Sequence, residues 1–149
     1  MSNFKINNVE GNNVYNAEPH SSTLQNLCIQ ESTKIYENNS FIKLDANLLE
    51  SFDLYEDGWV LTDDEGYLMI DVHIHYERDI KNSLPIRTKT ILQMGENIYE
   101  HYDGYTHNKT IVFQMVQYMT ISDKISIKIN TDGKQIYIKT GSFILFKWL

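Results

Sequence analysis

Residues 66–77 read Gly66-Tyr67-Leu68-Met69-Ile70-Asp71-Val72-His73-Ile74-His75-Tyr76-Glu77, and their side chains alternate in character along the whole run. Leu68, Ile70, Val72, Ile74 and Tyr76 fall on one side of an extended chain, and Tyr67, Met69, Asp71, His73 and His75 fall on the other. A period of two predicts a long strand with one face turned to a core. The second face, with its Met, Asp and two His, has to meet water, a metal or another subunit.

Outward from this strand, β-branched and aromatic residues recur in short runs. They predict strands over 28–35, 41–44, 59–62, 67–77, 87–93, 98–102, 110–120, 124–129, 135–139 and 143–149. Asp57-Gly58, Glu65-Gly66, Gly95-Glu96-Asn97, Asp103-Gly104 and Asp132-Gly133 are read as the turns between them, because these residue types tolerate positive φ. The one stretch with a helical reading is 47–53, a single turn carrying Leu48, Leu49 and Phe52. About ten short strands at this spacing fit a sandwich, a jelly roll or a barrel, each of which protects sheet edges.

Composition narrows the class. The 149 residues, 42% of them hydrophobic, are enough for one core. Residues 1–26 are polar and Asn-rich, without a period of 2 or 3.6, and are expected to form an extended or disordered arm that could tether the chain in an assembly. The domain proper is expected at 27–149. A formal net charge of -7, with 13 basic residues scattered along the chain, argues against a nucleic-acid partner. Uncharged apolar runs such as 142–146 fall far short of the roughly 20 residues that span a bilayer, so no membrane insertion is expected. The start MSNFKINNVEGNN has neither the basic opening nor the apolar stretch of a signal peptide. A single cysteine, Cys28, excludes an internal disulfide and leaves a buried thiol or an intermolecular link.

From Phe52 onward the order of these pieces resembles the jelly-roll heads of tumour necrosis factor ligands and of the complement-q proteins. Asp64 to Ile74 looks like that superfamily's Gly-aromatic strand in the middle of the inner sheet. Thr90-Ile91-Leu92-Gln93-Met94-Gly95-Glu96-Asn97-Ile98 is similar to its short-turned hairpin. Ile121-Ser122-Asp123-Lys124-Ile125-Ser126-Ile127-Lys128-Ile129 resembles a later alternating strand, with Ser122 where the family usually has Gly. Gly141-Ser142-Phe143-Ile144-Leu145-Phe146 looks like the closing strand. The resemblance implies an all-β fold, a jelly-roll β-sandwich of two antiparallel sheets preceded by the arm. It also implies a homotrimer around the outer face of the inner sheet. Tyr67, Met69, Asp71, His73 and His75 would then lie at the subunit interface, with Lys128 on a neighbouring strand pairing with Asp71.

His73 and His75 stand about 6 to 7 Å apart on one strand face, a spacing that suits two ligands of one ion, a proton-sensing interface or an ordinary polar face. The polar face is the preferred reading, and no metal or cofactor is expected. The acidic residues Asp53, Glu56, Asp57, Asp63, Asp64 and Glu65 lack the spacing of a helix-loop-helix calcium loop and read as a solvated segment. Tyr99, His101, Tyr102, Tyr105 and His107 form an aromatic stretch expected to sit in a partner-binding loop, since Tyr joins a flat apolar ring to a polar tip. Phe143, Phe146 and Trp148 are read as core. No nucleophile elbow, phosphate loop, paired Cys cluster or dinucleotide fingerprint is present, so no enzyme is expected. The resulting expectation is a structural or attachment component of a virion, phage particle or cell surface. The alternative is a secreted cytokine-like or lectin-like module for a receptor or glycan.

Overall fold

A computed structural model of the chain describes residues 26–78 and 84–149, which form twelve strands in two antiparallel sheets. The strands are β1 (Asn26–Ile29), β2 (Lys34–Tyr36), β3 (Ala46–Leu48), β4 (Phe52–Leu54), β5 (Val60–Thr62) and β6 (Gly66–Glu77), then β7 (Ile86–Met94), β8 (Asn97–Thr106), β9 (Asn108–Met119), β10 (Lys124–Asn130), β11 (Ile136–Ile138) and β12 (Phe143–Trp148). The predicted arm lies outside the described residues except for Asn26, where β1 begins.

The strand that opened the sequence reading organises the first sheet. One edge of β6 pairs with β9 along its whole length, from Gly66 opposite Met119 to Glu77 opposite Asn108. Its other edge is shared. Leu68 to His73 pair with β12, and Tyr76 and Glu77 pair with β11. Beyond β12 lie β1 and β3, and beyond β11 lies β2. The second sheet runs β4, β5, β10, β7, β8. The closing strand therefore returns to the middle of the first sheet, as a jelly roll requires.

The alternation in β6 places Leu68, Ile70, Val72, Ile74 and Tyr76 between the sheets, each fully buried. Each such side chain contributes on the order of 1.5–3 kcal/mol of burial before ordering entropy is counted. Facing them across the sandwich are Leu92 and Met94 of β7 and Ile125, Ile127 and Ile129 of β10. At one end Phe52 stacks on Trp148 at 5.7 Å and tilts against Phe146 at 4.9 Å. Phe146 and Trp148 are core residues, but Phe143 is not. It lies an odd number of positions from Phe146 on the same strand, so it points to the outer face and is only half-buried.

Local differences from the sequence reading have local causes. The stretch 28–35 is two strands, because the backbone amides of Glu31 and Ser32 donate to Asp45 Oδ2 (3.1 and 3.0 Å) instead of continuing a ladder. Lys34 also pairs with Asp45, and these donors hold its carboxyl below the usual carboxylate range. Residues 41–44 make only an isolated bridge, Phe41 with Lys128, while burying Ile42 and Leu44. The helical turn expected at 47–53 is replaced by β3 and β4, whose ladders to β1 and β5 outweigh a short local period. Asp103-Gly104 is not a turn. It lies inside β8 at a bulge, where Thr88 is opposite Asp103 but Ile86 is opposite Thr106. Gly95 is needed where expected: at φ 62 it opens the two-residue connection between Met94 and Asn97. Cys28 is buried, and burial pushes its thiol up to about 12. No helix among the described residues is long and apolar enough to cross a membrane.

Candidate assembly and contact surfaces

The strand register fixes what surrounds the second face of β6. Tyr67, Met69, Asp71, His73 and His75 lie opposite Tyr118, Val116, Gln114, Val112 and Thr110 of β9, and residues directly opposite share a face. On the other edge Met69, Asp71 and His73 meet Lys147, Leu145 and Phe143 of β12, and Leu27 and Ile29 of β1 continue the row. The result is a broad apolar surface: Tyr67 is 58% exposed, and Tyr118, Val116 and Val112 are each close to half exposed.

The polar residues Asp71, His73, His75, Thr110, Gln114 and Lys147 share this face with the apolar ones. Tyr67 meets Tyr118 edge-on at 5.2 Å, and the Tyr118 hydroxyl donates to Glu65 Oε2 at 2.6 Å. That hydrogen bond holds the Tyr118 phenol above its ordinary pKa. His73 stacks on Phe143 with ring centroids 4.5 Å apart, and its Nε2 lies 3.0 Å from Asp71 Oδ1. The backbone of His75 is fixed at both ends of its peptide unit: its N–H donates to Ser142 Oγ, and its carbonyl accepts from Lys139 N–H.

Lys128 does not belong to this surface. It lies on β10 in the second sheet, between β5 and β7, and its ammonium sits over the Phe41 ring at 4.5 Å. Sequence proximity to a jelly-roll strand does not say which sheet that strand joins, and the partner assigned to Asp71 is replaced by His73, two residues away on the same strand. Among the described residues no group of three or more His, Cys, Asp or Glu side chains converges to hold a metal ion.

The aromatic stretch after Gly95 is also rearranged. Tyr99, His101, Tyr102 and Tyr105 are on β8, not in a loop, and only His107 falls in the connection to β9. Alternation then divides them. Tyr99 and His101 turn toward the inter-sheet edge, where the Tyr99 hydroxyl donates to Gln117 Oε1 at 2.6 Å and His101 stacks on Phe113. Two residues beyond His101 on β8, the Asp103 side chain is 7% exposed, with His101 Nε2 at 3.5 Å and Lys109 Nζ at 3.7 Å.

Tyr102 and Tyr105 point outward with large exposures. There they meet residues that the sequence reading did not select. Lys89 lies 3.4 Å from Glu100 and 5.9 Å from the Tyr102 ring centre, and Arg87 lies 3.5 Å from Asp132 and 5.7 Å from the Tyr105 ring centre. Tyr102 also donates to Glu100 Oε1 at 2.8 Å, a bond that raises the phenol pKa and lowers the carboxyl pKa. Arg87-x-Lys89 on an alternating strand was the available signal, since positions two apart share a face.

No family model matches the sequence, and no curated relative matches it significantly. Solved structures do resemble the fold. Eiger TNF from S. frugiperda superposes with a TM-score of 0.58 at 10% identity, over 84% of this chain and 90% of that one. Murine APRIL gives 0.53 at 12% identity, over 85% and 100%. The globular domain of zebrafish complement 1qA protein gives 0.54 at 10% identity, over 84% and 96%. The chain has the all-β jelly-roll fold of the tumour necrosis factor and complement-q heads.

Proposed function

We propose that this protein is a non-enzymatic, homotrimeric binding module, assembled through the outer face of its first sheet and presenting its second sheet to a surface receptor or glycan. The observation that carries the reading is the contiguous apolar surface formed by β9, β6 and β12, with Tyr67, Tyr118, Val116 and Val112 exposed on it. Large apolar side chains exposed together on one sheet face mark an interaction surface. A ring of three identical copies covers it by closed symmetry, and the likeness in fold to the tumour necrosis factor and complement-q heads supports three rather than two. Tyr67, Met69, Asp71, His73 and His75 are the proposed interface residues of β6.

Light scattering and sedimentation on the full chain test this directly. The expected mass is about three times the 17.5 kDa of one chain. Val116→Arg, which sets a charge in the middle of the half-exposed row, should shift the species to monomer while leaving the far-ultraviolet circular dichroism unchanged. A wild-type chain that is monomeric at every workable concentration overturns the proposal. A virion component would be recovered only with purified particles, whereas a secreted module would be recovered free.

A further inference from the structure

The second sheet carries a groove on its outer face, at the end where β7, β8 and β10 lie side by side. Lys89 is at its centre, paired in register with Tyr102 on one side and Asn130 on the other. The bulge in β8 places Gly104 and Tyr105 against the single residue Arg87, and such bulges re-aim side chains. Here Tyr105 lies against the Arg87 guanidinium. A side-chain Cβ at Gly104 would meet nothing within 4 Å, so this end stays open. The groove has a volume of about 280 Å³ and is lined by Arg87, Lys89, Tyr102, Asn130 and Asp132, with Thr88 and Asp103 closing it below.

Its chemistry is selective. Two cations stand two residues apart on one strand face, each beside one carboxylate: Arg87 beside Asp132 at 3.5 Å and Lys89 beside Glu100 at 3.4 Å. Arg87 Nε faces Asp132, and the Arg87 side chain is 63% exposed, so its guanidinium is open to a ligand. A guanidinium is matched to a carboxylate by its planar fork, and Lys89 adds a point charge beside it. A simple anion would not use the rest of the groove, where Asp132 repels it and Asn130 offers both a donor and an acceptor. A ligand with hydroxyls as well as a carboxylate uses all of it. The exposed Tyr102 ring supplies a flat apolar surface for the C–H face of a pyranose.

We propose that this groove binds an acidic sugar unit of a glycan: a pyranose carboxylate on Arg87 and Lys89, its ring on Tyr102, and its hydroxyls on Asn130 and Asp132. The inference rests on the binding-module reading but not on the trimer, because the groove is on the sheet opposite the proposed interface.

The test is saturation-transfer NMR and calorimetry on the full chain with N-acetylneuraminic acid and glucuronic acid, with galactose and glucose as neutral counterparts and inorganic phosphate as competitor. Saturable binding of at least one acidic sugar is expected, about tenfold weaker in Arg87→Gln and in Tyr102→Ala, since each removes one strong contact. Val116→Arg should bind as the wild type does, so a failed trimer and a failed groove are read separately. Absence of saturable binding by either acidic sugar, equal binding of neutral sugars, full displacement by phosphate, or wild-type affinity in a folded Arg87→Gln chain would each overturn the proposal.

Discussion

Replacing Ser122 by glycine should stabilise the domain. Ser122 is the third residue of the turn between β9 and β10, in which Asp123 N–H donates to the Thr120 carbonyl at 3.2 Å. Its φ is 69°, the value that a type II turn imposes at this position and that favours Gly. Among the described residues two other non-glycine residues have positive φ, Asn39 and Asp132, and both are of types that tolerate it. Serine is the outlier. Holding an L side chain in the left-handed region costs about 1–2 kcal/mol, and glycine returns about 0.5–1 kcal/mol of that through its freer unfolded chain. The net gain expected is about 0.5–1 kcal/mol. The turn itself is well anchored, with Ser122 N–H on the Thr62 carbonyl at 2.8 Å and Thr120 N–H on Asp123 Oδ2 at 2.8 Å, so the backbone has no cheaper conformation to relax into. Urea unfolding of wild type, Ser122→Gly and Ser122→Ala at one protein concentration measures the effect, because the proposed assembly would make stability concentration-dependent. Thermal midpoints should rise by roughly 1–4 °C for the glycine variant. A glycine variant no more stable than wild type, or an alanine variant that gains as much, would refute the strain argument.

Two further outcomes follow from buried polar groups. Thr90 is 1% exposed and its Oγ1 has no hydrogen-bond partner, so Thr90→Val should be neutral to stabilising by about 1–2 kcal/mol in the same unfolding assay. A loss of similar size would show that the hydroxyl is engaged. Tyr36 donates to the Lys43 carbonyl, and burial, followed by the charge of Asp45, pushes its phenol up to about 12. A raised folded pKa means the neutral form stabilises the fold fully below the unfolded value of about 10, and this contribution is lost as pH rises from there toward 12. Discounted for partial exposure, it is about 1–2 kcal/mol, and Tyr36→Phe should lose correspondingly less stability than wild type across that window. Equal losses in the two proteins would remove Tyr36 as the cause.

What was legible in the sequence was whatever depends on parity and local turn chemistry. The buried row of β6 follows from period two, and the β7–β8 hairpin follows from Gly95. The misreadings come from two other sources. Gly104 after Asp103 is a turn signal in isolation, but a bulge uses the same residues without ending the strand, and this stopped the predicted strand at Tyr102 and left Tyr105 outside it. Lys128 was misplaced because membership of a sheet is a long-range property. Its backbone pairs with Ile91 and Phe41, and nothing near it in sequence encodes either. The groove was invisible for the same reason: Lys89 and Asn130 are brought together only when β10 pairs with β7.

The two outer faces of the sandwich differ in how their charged groups are held. On the second sheet the cations are held by carboxylates and rings at the surface, Lys124 over Trp59 at 4.7 Å, Lys128 over Phe41, and Lys89 beside Glu100. Exposed pairs of this kind contribute little to stability and exchange readily with water or a polar ligand. On the first sheet the single carboxylate in the middle of the apolar field is Asp71, already reduced to 16% side-chain exposure, and its neighbour is an imidazole 3.0 Å away that carries charge only when protonated. Covering that face with another subunit would remove the last water from Asp71, and an unpaired buried carboxylate is costly. His73 is the side chain nearest to Asp71 on this face, and its stacking on Phe143 holds it there. The two histidines on β6 are therefore placed differently: His73 lies 3.0 Å from Asp71 within the proposed interface and stacks on Phe143, while the His75 backbone is tied to Ser142 and Lys139 at the end of the strand.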